Sequence, residues 1–477
     1  MNNSSLHLFS DLELTRVHFI GVCGTAMAAV AIELHRAGFT VTGSDSGIYP
    51  PMSDLLKSQN LTLFEGYRPE NLPSKGLVVV GNAVSRGNPE LETALDWRCQ
   101  LISLPELIAR RYLSGRRPIV VTGTHGKSTT TAMVAHILRS AGRNSGWLVG
   151  ALPLDLEFPC VYTGGEDFVI EGDEYDTVWW DKRPKFLHYS PFVGIINAVE
   201  FDHSDIYPDL GAVKSAFRRF AGLLPQAGTL IVNGDDSNAL EVAQSARCRI
   251  EKIGAGESND WRLTSYVAAE SGGVCGAFHA PDGDSGSIEL NLLGEFNLRN
   301  GLAAIAAAQS VGVGWKDGVA ALKSFRGVAR RLQLLTEQAG ISVWGDFGHH
   351  PTAVAGTLRA LRERYPERRL WALFEPRSNT MARRYLQNEL IEALALADRV
   401  TLAPIHRGVK IPEVERLDTA AVVSELRRRR RDAVAVETFD QVFADVAANL
   451  RVGDVIVVMS NGEFGGVKEK LWDWLKR

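Results

Sequence analysis

No stretch of this 477-residue chain is apolar for long enough to cross a bilayer, which excludes a helical membrane anchor. The opening residues, Met1-Asn2-Asn3-Ser4-Ser5-Leu6-His7, lack the basic and apolar regions of a secretory leader. Cysteine is scarce: Cys23, Cys99, Cys160, Cys248 and Cys275 are odd in number and form no CxxC pair. A disulfide framework and a cysteine-held structural zinc are therefore excluded, and a reduced cytoplasm is the expected compartment. Cys23 sits in a glycine turn, where a small side chain filling a tight site is expected. Excess charge of one sign is also missing. The net charge of −4 argues against nucleic acid and a membrane surface as partners, and Arg427 to Arg431 read as the solvated face of a helix.

What is present is the composition of an ordinary soluble globular protein, 45% hydrophobic and 23% charged. The length exceeds one core, so about two to four domains are expected.

The strongest signal is Val120-Val121-Thr122-Gly123-Thr124-His125-Gly126-Lys127-Ser128-Thr129-Thr130. Pro118 to Val121 reads as a buried strand, Gly123 and Gly126 as a turn, and Lys127 to Leu138 as a helix. Strand, glycine turn and helix start make an anion cradle, because free N–H groups and the helix dipole point at one spot. Lys127 can reach a β- or γ-phosphate, and the Ser128 hydroxyl can hold Mg²⁺. The first glycine of the full G-x-x-x-x-G-K-[ST] pattern is missing, since Val121 stands there.

Upstream, Arg16 to Ile20 reads as a strand, Gly21-Val22-Cys23-Gly24 as a turn, Ala28 to Ala37 as a helix and Phe39 to Gly43 as a strand ending on Ser44-Asp45. This βαβ unit, with an acid about twenty residues past its glycine turn, suits a ligand carrying a pyrophosphate and a ribose. NAD and a UDP-sugar both meet that description. Strand 76–81 delivers Asn82 and Ser85, with a helix from Glu90 to Trp97. Leu113 to Pro118 reads as a linker.

Downstream, strand 167–170 runs into Glu171-Gly172-Asp173-Glu174-Tyr175-Asp176. Carboxylates this dense are either solvated or neutralised by a metal, and Glu171, nearest the strand, is the candidate Mg²⁺ ligand. Strand 192–197 delivers Asp202-His203. Val213 to Leu224 reads as a helix, and residues 245–290 as short strands carrying little chemistry. Asn297 and Asn300 are three apart on one helix face and can read a purine edge, with capping by Asn297 as the competing role. Arg326, Arg330 and Arg331 suggest a charge clamp at a domain joint. Asp346-Phe347-Gly348-His349-His350-Pro351 forms a turn before the helix Thr352 to Arg364. Strands 369–374 and 454–459 feed two polar turns, Glu375 to Thr380 and Ser460 to Gly466, and Arg377 suits a carboxylate.

Taken in order, the N-terminal glycine turn with Ser44-Asp45, Gly123 to Thr129, Glu171 to Asp176, Asn197 to His203, Asn297 with Asn300, Arg330-Arg331, and Asp346 to Pro351 resemble the Mur ligases, ATP-dependent amide-forming enzymes of peptidoglycan synthesis. The resemblance spans nearly the whole chain. It implies an α/β protein of three domains: a Rossmann-like UDP-sugar-binding domain (1–115), a central P-loop-type ATPase domain (116–331) and a C-terminal Rossmann-like, peptide-binding α/β domain (332–477). Thr177 to Arg183, Glu375 to Met381 and Met459 to Gly466 resemble the branch that joins UDP-N-acetylmuramate to a recovered tripeptide, L-alanyl-γ-D-glutamyl-meso-diaminopimelate. A sibling branch adds only L-alanine.

The resemblance assigns roles by position. Gly123, Thr124, His125, Gly126, Lys127, Ser128 and Thr129 would wrap the ATP phosphates. Ser128, Glu171 and His203 would hold Mg²⁺. Asn297 and Asn300 would contact adenine, Arg331 the phosphates and Asp346 the ribose. Lys127, Glu171, His203 and Arg331 form the catalytic group. Gly21, Gly24, Ser44, Asp45 and Asn82 would take the UDP moiety, and Arg377, Ser378, Asn379 and Asn461 the peptide. The chain departs from the family at Phe296, where His is usual, at Gly345, where Asp is usual, and at Ser128, which replaces Thr with the same hydroxyl chemistry. Lys214 is the only lysine near the second metal position, and its spacing from His203 does not suit carbamylation. A non-catalytic, NAD-binding regulator is the alternative of another class, and the acidic cluster after a lysine-bearing phosphate loop argues against it.

Overall fold

The computed structural model describes residues 15–48, 52–269, 272–406 and 408–475. The lead-in expected over residues 1–14 lies outside them. Three sheets follow one another along the chain.

The first comprises β1 (Arg16–Ile20), β2 (Thr40–Asp45), β3 (Thr62–Glu65), β4 (Leu77–Val80) and β5 (Gln100–Ser103). They are all parallel, in the order β3-β2-β1-β4-β5. The apolar runs of the two central strands, β1 and β4, are buried on both faces, whereas the edge strand β3 has no buried residue. The order reverses beside β1, which is where open α/β sheets form a ligand crevice. The helix after β1 spans Thr25–Arg36 and starts three residues earlier than the sequence suggests, because Gly24 serves directly as its N-cap.

Under this sheet lies a closed polar network. Glu90, fully buried in the helix Pro89–Asp96, accepts hydrogen bonds from Ser44 Oγ, Asn71 Nδ2 and the Arg68 N–H, and stands 3.4 Å from His18 Nε2. His18 Nδ1 meets Thr42 Oγ1 at 2.8 Å. Burial alone would raise the Glu90 pKa. The bonds from His18, Ser44 and Asn71 outweigh it and hold the carboxyl below its usual range.

The middle sheet is built on β6 (Arg117–Thr122), with β7 (Gly146–Leu148), β8 (Cys160–Val161) and β9 (Asp167–Glu171) on one side. On the other lie β12 (Val193–Ile196), β13 (Thr229–Asn233), β14 (Arg249–Gly254), β15 (Trp261–Ala268), β16 (Val274–His279) and β17 (Ser285–Leu290). The order is β17-β16-β15-β14-β13-β12-β6-β9-β7-β8. A hairpin of β10 (Asp176–Val178) and β11 (Asp181–Pro184) projects from it. Ile119, Val121, Val169 and Ile195 pack on one face against the helices Lys127–Ser140 and Glu295–Ser310, whose alanines at 303, 304 and 306–308 allow close approach. In register, Val121 lies opposite Glu171 and Thr122 opposite Ile196, so β6, β9 and β12 release their loops at one edge.

The third sheet contains β18 (Gln333–Gln338), β19 (Ile341–Asp346), β20 (Leu370–Phe374), β21 (Arg399–Leu402), β22 (Asp432–Ala435) and β23 (Val455–Met459). Its order is β18-β19-β23-β20-β21-β22, antiparallel only at β18-β19. Because β23 lies between β19 and β20, the turns after all three emerge side by side. The arginine run straddles a helix end rather than lying within it: the helix Thr419–Arg428 stops, Arg430 takes φ 61°, and Arg428 and Arg429 pair with Glu425.

Replacing Glu90 with alanine would leave the buried His18 and Ser44 without this acceptor and take one of two acceptors from the half-buried Asn71, at a cost of about 3 kcal/mol. Amide exchange in β1, β2 and β4 should accelerate while the other sheets keep theirs, and unchanged exchange in the first sheet would contradict the network's role. Because the Glu90 pKa is lowered on folding, its contribution is present above the ordinary carboxylate pKa and lost as pH falls through the folded one.

Candidate active site

A cavity of about 1170 Å³ opens between the middle and C-terminal sheets. Its wall includes Thr124, His125, Gly126, Lys127, Ser128 and Thr129 of the glycine turn. Glu171, His203, Asn297, Asn300, Arg331, Asp346, Arg377, Ser378, Asn379 and Asn461 complete the set that the sequence singles out there. Gly123, Gly21, Gly24, Ser44, Asp45 and Asn82 do not line it.

Gly123 has φ 122°, and a Cβ there would sit 2.9 Å from the main-chain nitrogens of Asn197 and Ala198. Gly126 has φ 77° and caps the helix, and a Cβ would lie 2.6 Å from Asn300 Oδ1. Both positions therefore need glycine. The turn lets Lys127 fold back, donating from Nζ to Gly123 O at 2.7 Å and to Glu174 Oε1 at 2.8 Å. Burial pulls the Lys127 pKa down, but Glu174, Asp173 and Glu171 outweigh it and keep the ammonium charged. His203, held at φ 56°, points Nε2 at the same Glu174 Oε1, 2.9 Å away. Burial lowers the imidazole pKa and Glu174 more than restores it, so the ring stands above its usual value.

Glu174 is thus the centre of the group, and it differs from the strand-adjacent Glu171 that the sequence favours. Three of the four carboxylates in the acidic cluster are paired with cationic side chains, and the fourth, Glu171, is held by a main-chain N–H. Asp173 takes Lys185 Nζ at 2.6 Å, Glu174 takes Lys127 and His203, Asp176 takes Lys182 Nζ at 2.6 Å, and Glu171 Oε2 accepts the Gly150 N–H at 3.0 Å. Glu174 Oε2 is buried and has no hydrogen-bond partner among the described residues. The sequence signal was the density of acids. Which acid reaches the lysine depends on how the chain turns after β9.

Asn297 and Asn300 lie inside the helix Glu295–Ser310, which Gly294 caps, so the capping role for Asn297 does not hold. Asn297 Nδ2 donates to Leu293 O and its Oδ1 accepts from Asn300 Nδ2. Arg331 Nη2 donates to Ser128 Oγ at 3.3 Å, and its guanidinium lies 4.5 Å from the centre of the Phe347 ring. Asp346 is buried at the end of β19. Its Oδ2 accepts the Leu332 N–H and its Oδ1 the Gly348 N–H, both at 2.7 Å, with Thr357 Oγ1 at 3.2 Å. Its carboxylate therefore pins the linker to the third sheet, a structural duty beside the ribose contact expected of it. Phe296 lines the cavity, whereas Gly345 faces Leu335, with only 3.1 Å between a Cβ and Leu335 Cδ1. Lys214 pairs with Glu241 at 2.7 Å.

On the far wall Arg377 Nη1 lies 3.2 Å from Glu375 and 3.3 Å from His406 Nδ1. The Asn461 Oδ1 is buried without a hydrogen-bond partner among the described residues. Ser378 Oγ accepts the Met381 N–H. His406, Lys410 and Arg383 also line this wall and carry no sequence signal of their own.

In the first domain the Gly21 and Val22 N–H groups donate to Ser44 O, and the Cys23 N–H to Asp45 Oδ2 at 2.9 Å. The Ser44 side chain is fully buried on Glu90, so Ser44 meets the glycine turn only through its main-chain oxygen. Asn82 is exposed in the turn after β4. Burial and neighbouring Asp45 push the Cys23 thiol up to about 11, as suits a space-filling residue. No helix among the described residues is long and apolar enough to cross a membrane.

Three family models match in order: "Mur ligase family, catalytic domain" over residues 16–112, "Mur ligase middle domain" over 121–308 and "Mur ligase, glutamate ligase domain" over 330–462. The chain is 38% identical over 466 residues to the UDP-N-acetylmuramate–L-alanyl-γ-D-glutamyl-meso-2,6-diaminoheptandioate ligase of Escherichia coli, covering 97% of this chain and 98% of that one. It is 31% identical to the UDP-N-acetylmuramate–L-alanine ligase of Clostridium tetani, over 94% and 96% of the two chains. A crystal structure of a murein peptide ligase from Psychrobacter arcticus superposes with a TM-score of 0.74 at 33% identity, covering 96% of this chain and 98% of that one.

Glu174→Gln should lower the His203 pKa, because the imidazolium loses its carboxylate. Titration of the ring protons by NMR measures this, and an unchanged pKa would remove Glu174 from the pair.

Proposed function

The chain belongs to the Mur ligase family, and from that premise we propose that it is the ATP-dependent ligase that joins UDP-N-acetylmuramate to L-alanyl-γ-D-glutamyl-meso-diaminopimelate, releasing ADP and phosphate, in peptidoglycan recycling. Both nucleotide substrates belong to the cytoplasm, which agrees with five unpaired cysteines. The observation that carries the reading is the buried Lys127 ammonium at the mouth of the middle sheet, facing a cavity whose opposite wall presents Arg377, His406 and Lys410.

A carboxylate is a poor electrophile, and ATP supplies the activation by converting the lactyl carboxylate into an acyl phosphate that the peptide α-amine attacks. Two anions must meet in that step. Lys127, the turn N–H groups and Arg331 would present the opposing charge, worth several kcal/mol in a site screened from water. The residues also fit Mg²⁺: Ser128, Glu171 and His203 line the cavity, and Glu174, joined to Lys127 and His203 through Oε1, has a buried Oε2 without a hydrogen-bond partner among the described residues. Mg²⁺ there would neutralise phosphate charge, with Ser128, Glu171, Glu174 and His203 as its holders. Asn297 and Asn300 would take adenine. The turn at Gly21 and Gly24, with Asp45 and Asn82, would take the UDP moiety.

The tripeptide carries three carboxylates and free L-alanine one, so a cationic wall favours the tripeptide. The alternative, ligation of L-alanine, has support from the Clostridium tetani relative. A panel of both acceptors with ADP detection separates them: turnover with tripeptide and little with alanine is expected, and the reverse would overturn the reading.

Lys127→Ala should abolish ADP release while UDP-N-acetylmuramate still binds, and near-normal turnover would refute the lysine's role. Arg377→Ala should raise the KM for tripeptide at least about tenfold while that for ATP stays near its original value, in line with loss of about 1.4 kcal/mol or more from one charged contact. Equal changes in both would take Arg377 out of the peptide site.

A further inference from the structure

We propose that His125, Glu200 and His350 form a site for a transition-metal dication of the zinc class, joining the phosphate turn, the loop after β12 and the start of the C-terminal helix Pro351–Arg364. One ligand atom from each lies within 4.8 Å of the other two. His125 Nε2 is 2.5 Å from Glu200 Oε2, and His350 Nδ1 is 3.3 Å from the same oxygen. A tetrahedral ion with bonds of about 2.0–2.2 Å spaces its ligand atoms about 3.3 Å apart, so a small opening on the His125 side admits it.

The hydrogen bonds of His350 fix which nitrogen is bare. Its Nε2 lies 3.3 Å from Phe201 O, a group that only accepts, so Nε2 carries the proton. Its Nδ1 lies 3.4 Å from the Thr352 N–H, a group that only donates, so Nδ1 holds a lone pair. The Thr352 contact is long, and the same lone pair lies 3.3 Å from Glu200 Oε2, so an ion between Nδ1 and the carboxylate would replace this weak cap and separate two facing acceptors.

The surroundings also match a metal site. A ring nitrogen held by a carbonyl, leaving the other free for the ion, is the usual arrangement of a ligating histidine. Thr352 Oγ1 donates to Glu200 Oε1 at 2.9 Å, orienting the carboxylate and leaving Oε2 for the ion. Two imidazoles and one carboxylate favour zinc, cobalt or manganese over magnesium, which prefers oxygen. None of the three belongs to the Lys127–Glu174–His203 group. Because they come from the middle and C-terminal sheets, an ion here would clasp the two together.

The test uses the full chain freed of metal by chelation. Zinc is titrated against a chromophoric chelator, and cobalt is followed by its visible absorption. His350→Asn keeps a good helix N-cap while removing the imidazole. The wild-type chain should bind one zinc whose affinity falls about a hundredfold in His350→Asn and in Glu200→Gln, with the tetrahedral cobalt bands lost. Zinc should raise the melting temperature of the wild-type chain and not of His350→Asn. Should His350→Asn fail to fold, Thr352→Val removes only the hydroxyl on Glu200 and should weaken zinc about tenfold. Absence of zinc binding by the wild-type chain, or equal binding by the variants, would overturn the site.

Discussion

Burying one ammonium among carboxylates is the constraint on which this molecule's centre depends. Lys127 and Glu174 are both removed from water, with side-chain exposures of 14% and 3%. Each charge taken from water costs several kcal/mol, and stripping one partner from such a pair typically costs about 3–5 kcal/mol more. The pair therefore holds only where its geometry is fixed. Gly123 and Gly126 provide that by bringing the turn against the Asn197–Ala198 backbone and the Asn300 amide, where no Cβ fits. The parallel register of β9, β6 and β12 supplies the rest, because it releases lysine, acid and histidine at one edge.

The C-terminal sheet completes the site by the same means. Placing β23 between β19 and β20 sets the turns bearing His349, Arg377 and Asn461 beside one another. Asp346 ties Leu332 to this sheet by accepting the Leu332 N–H on its carboxylate, and Arg331, one residue earlier, reaches back to Ser128. Arg330 and Leu332 both adopt positive φ, so the joint is a tight, strained bend held by the buried carboxylate. In the proposed reaction two anions must be brought together. A stiff joint that ends in an arginine suits that task.

Much of this could be read from residues in order. Apolar, β-branched runs locate β1, β6, β9, β12, β20 and β23 to within a residue or two, because buried parallel strands leave a continuous apolar signature, whereas β19, Ile341–Asp346, is not read as a strand. The glycine turn identified its lysine because only a few residue types can follow such a turn. Sequence reasoning is silent where the answer lies in side-chain direction. Ser44 and Asp45 are neighbours on one strand, yet the pleat turns Ser44 inward to Glu90 and leaves Asp45 on the turn. Glu171 and Glu174 are three apart, and only the chain's path after β9 decides which meets Lys127. His350 and Glu200 are far apart in the chain, and their contact follows from how two sheets dock.

The central claim is that Lys127 and its turn receive the triphosphate. A crystal structure of the chain with a non-hydrolysable ATP analogue tests it most directly. The account predicts the β- and γ-phosphates within hydrogen-bonding distance of the Lys127 Nζ and the N–H groups of Gly126 to Ser128, with adenine beside Asn297 and Asn300. A triphosphate lodged in the glycine turn after β1, or outside the cavity between the middle and C-terminal sheets, would contradict it.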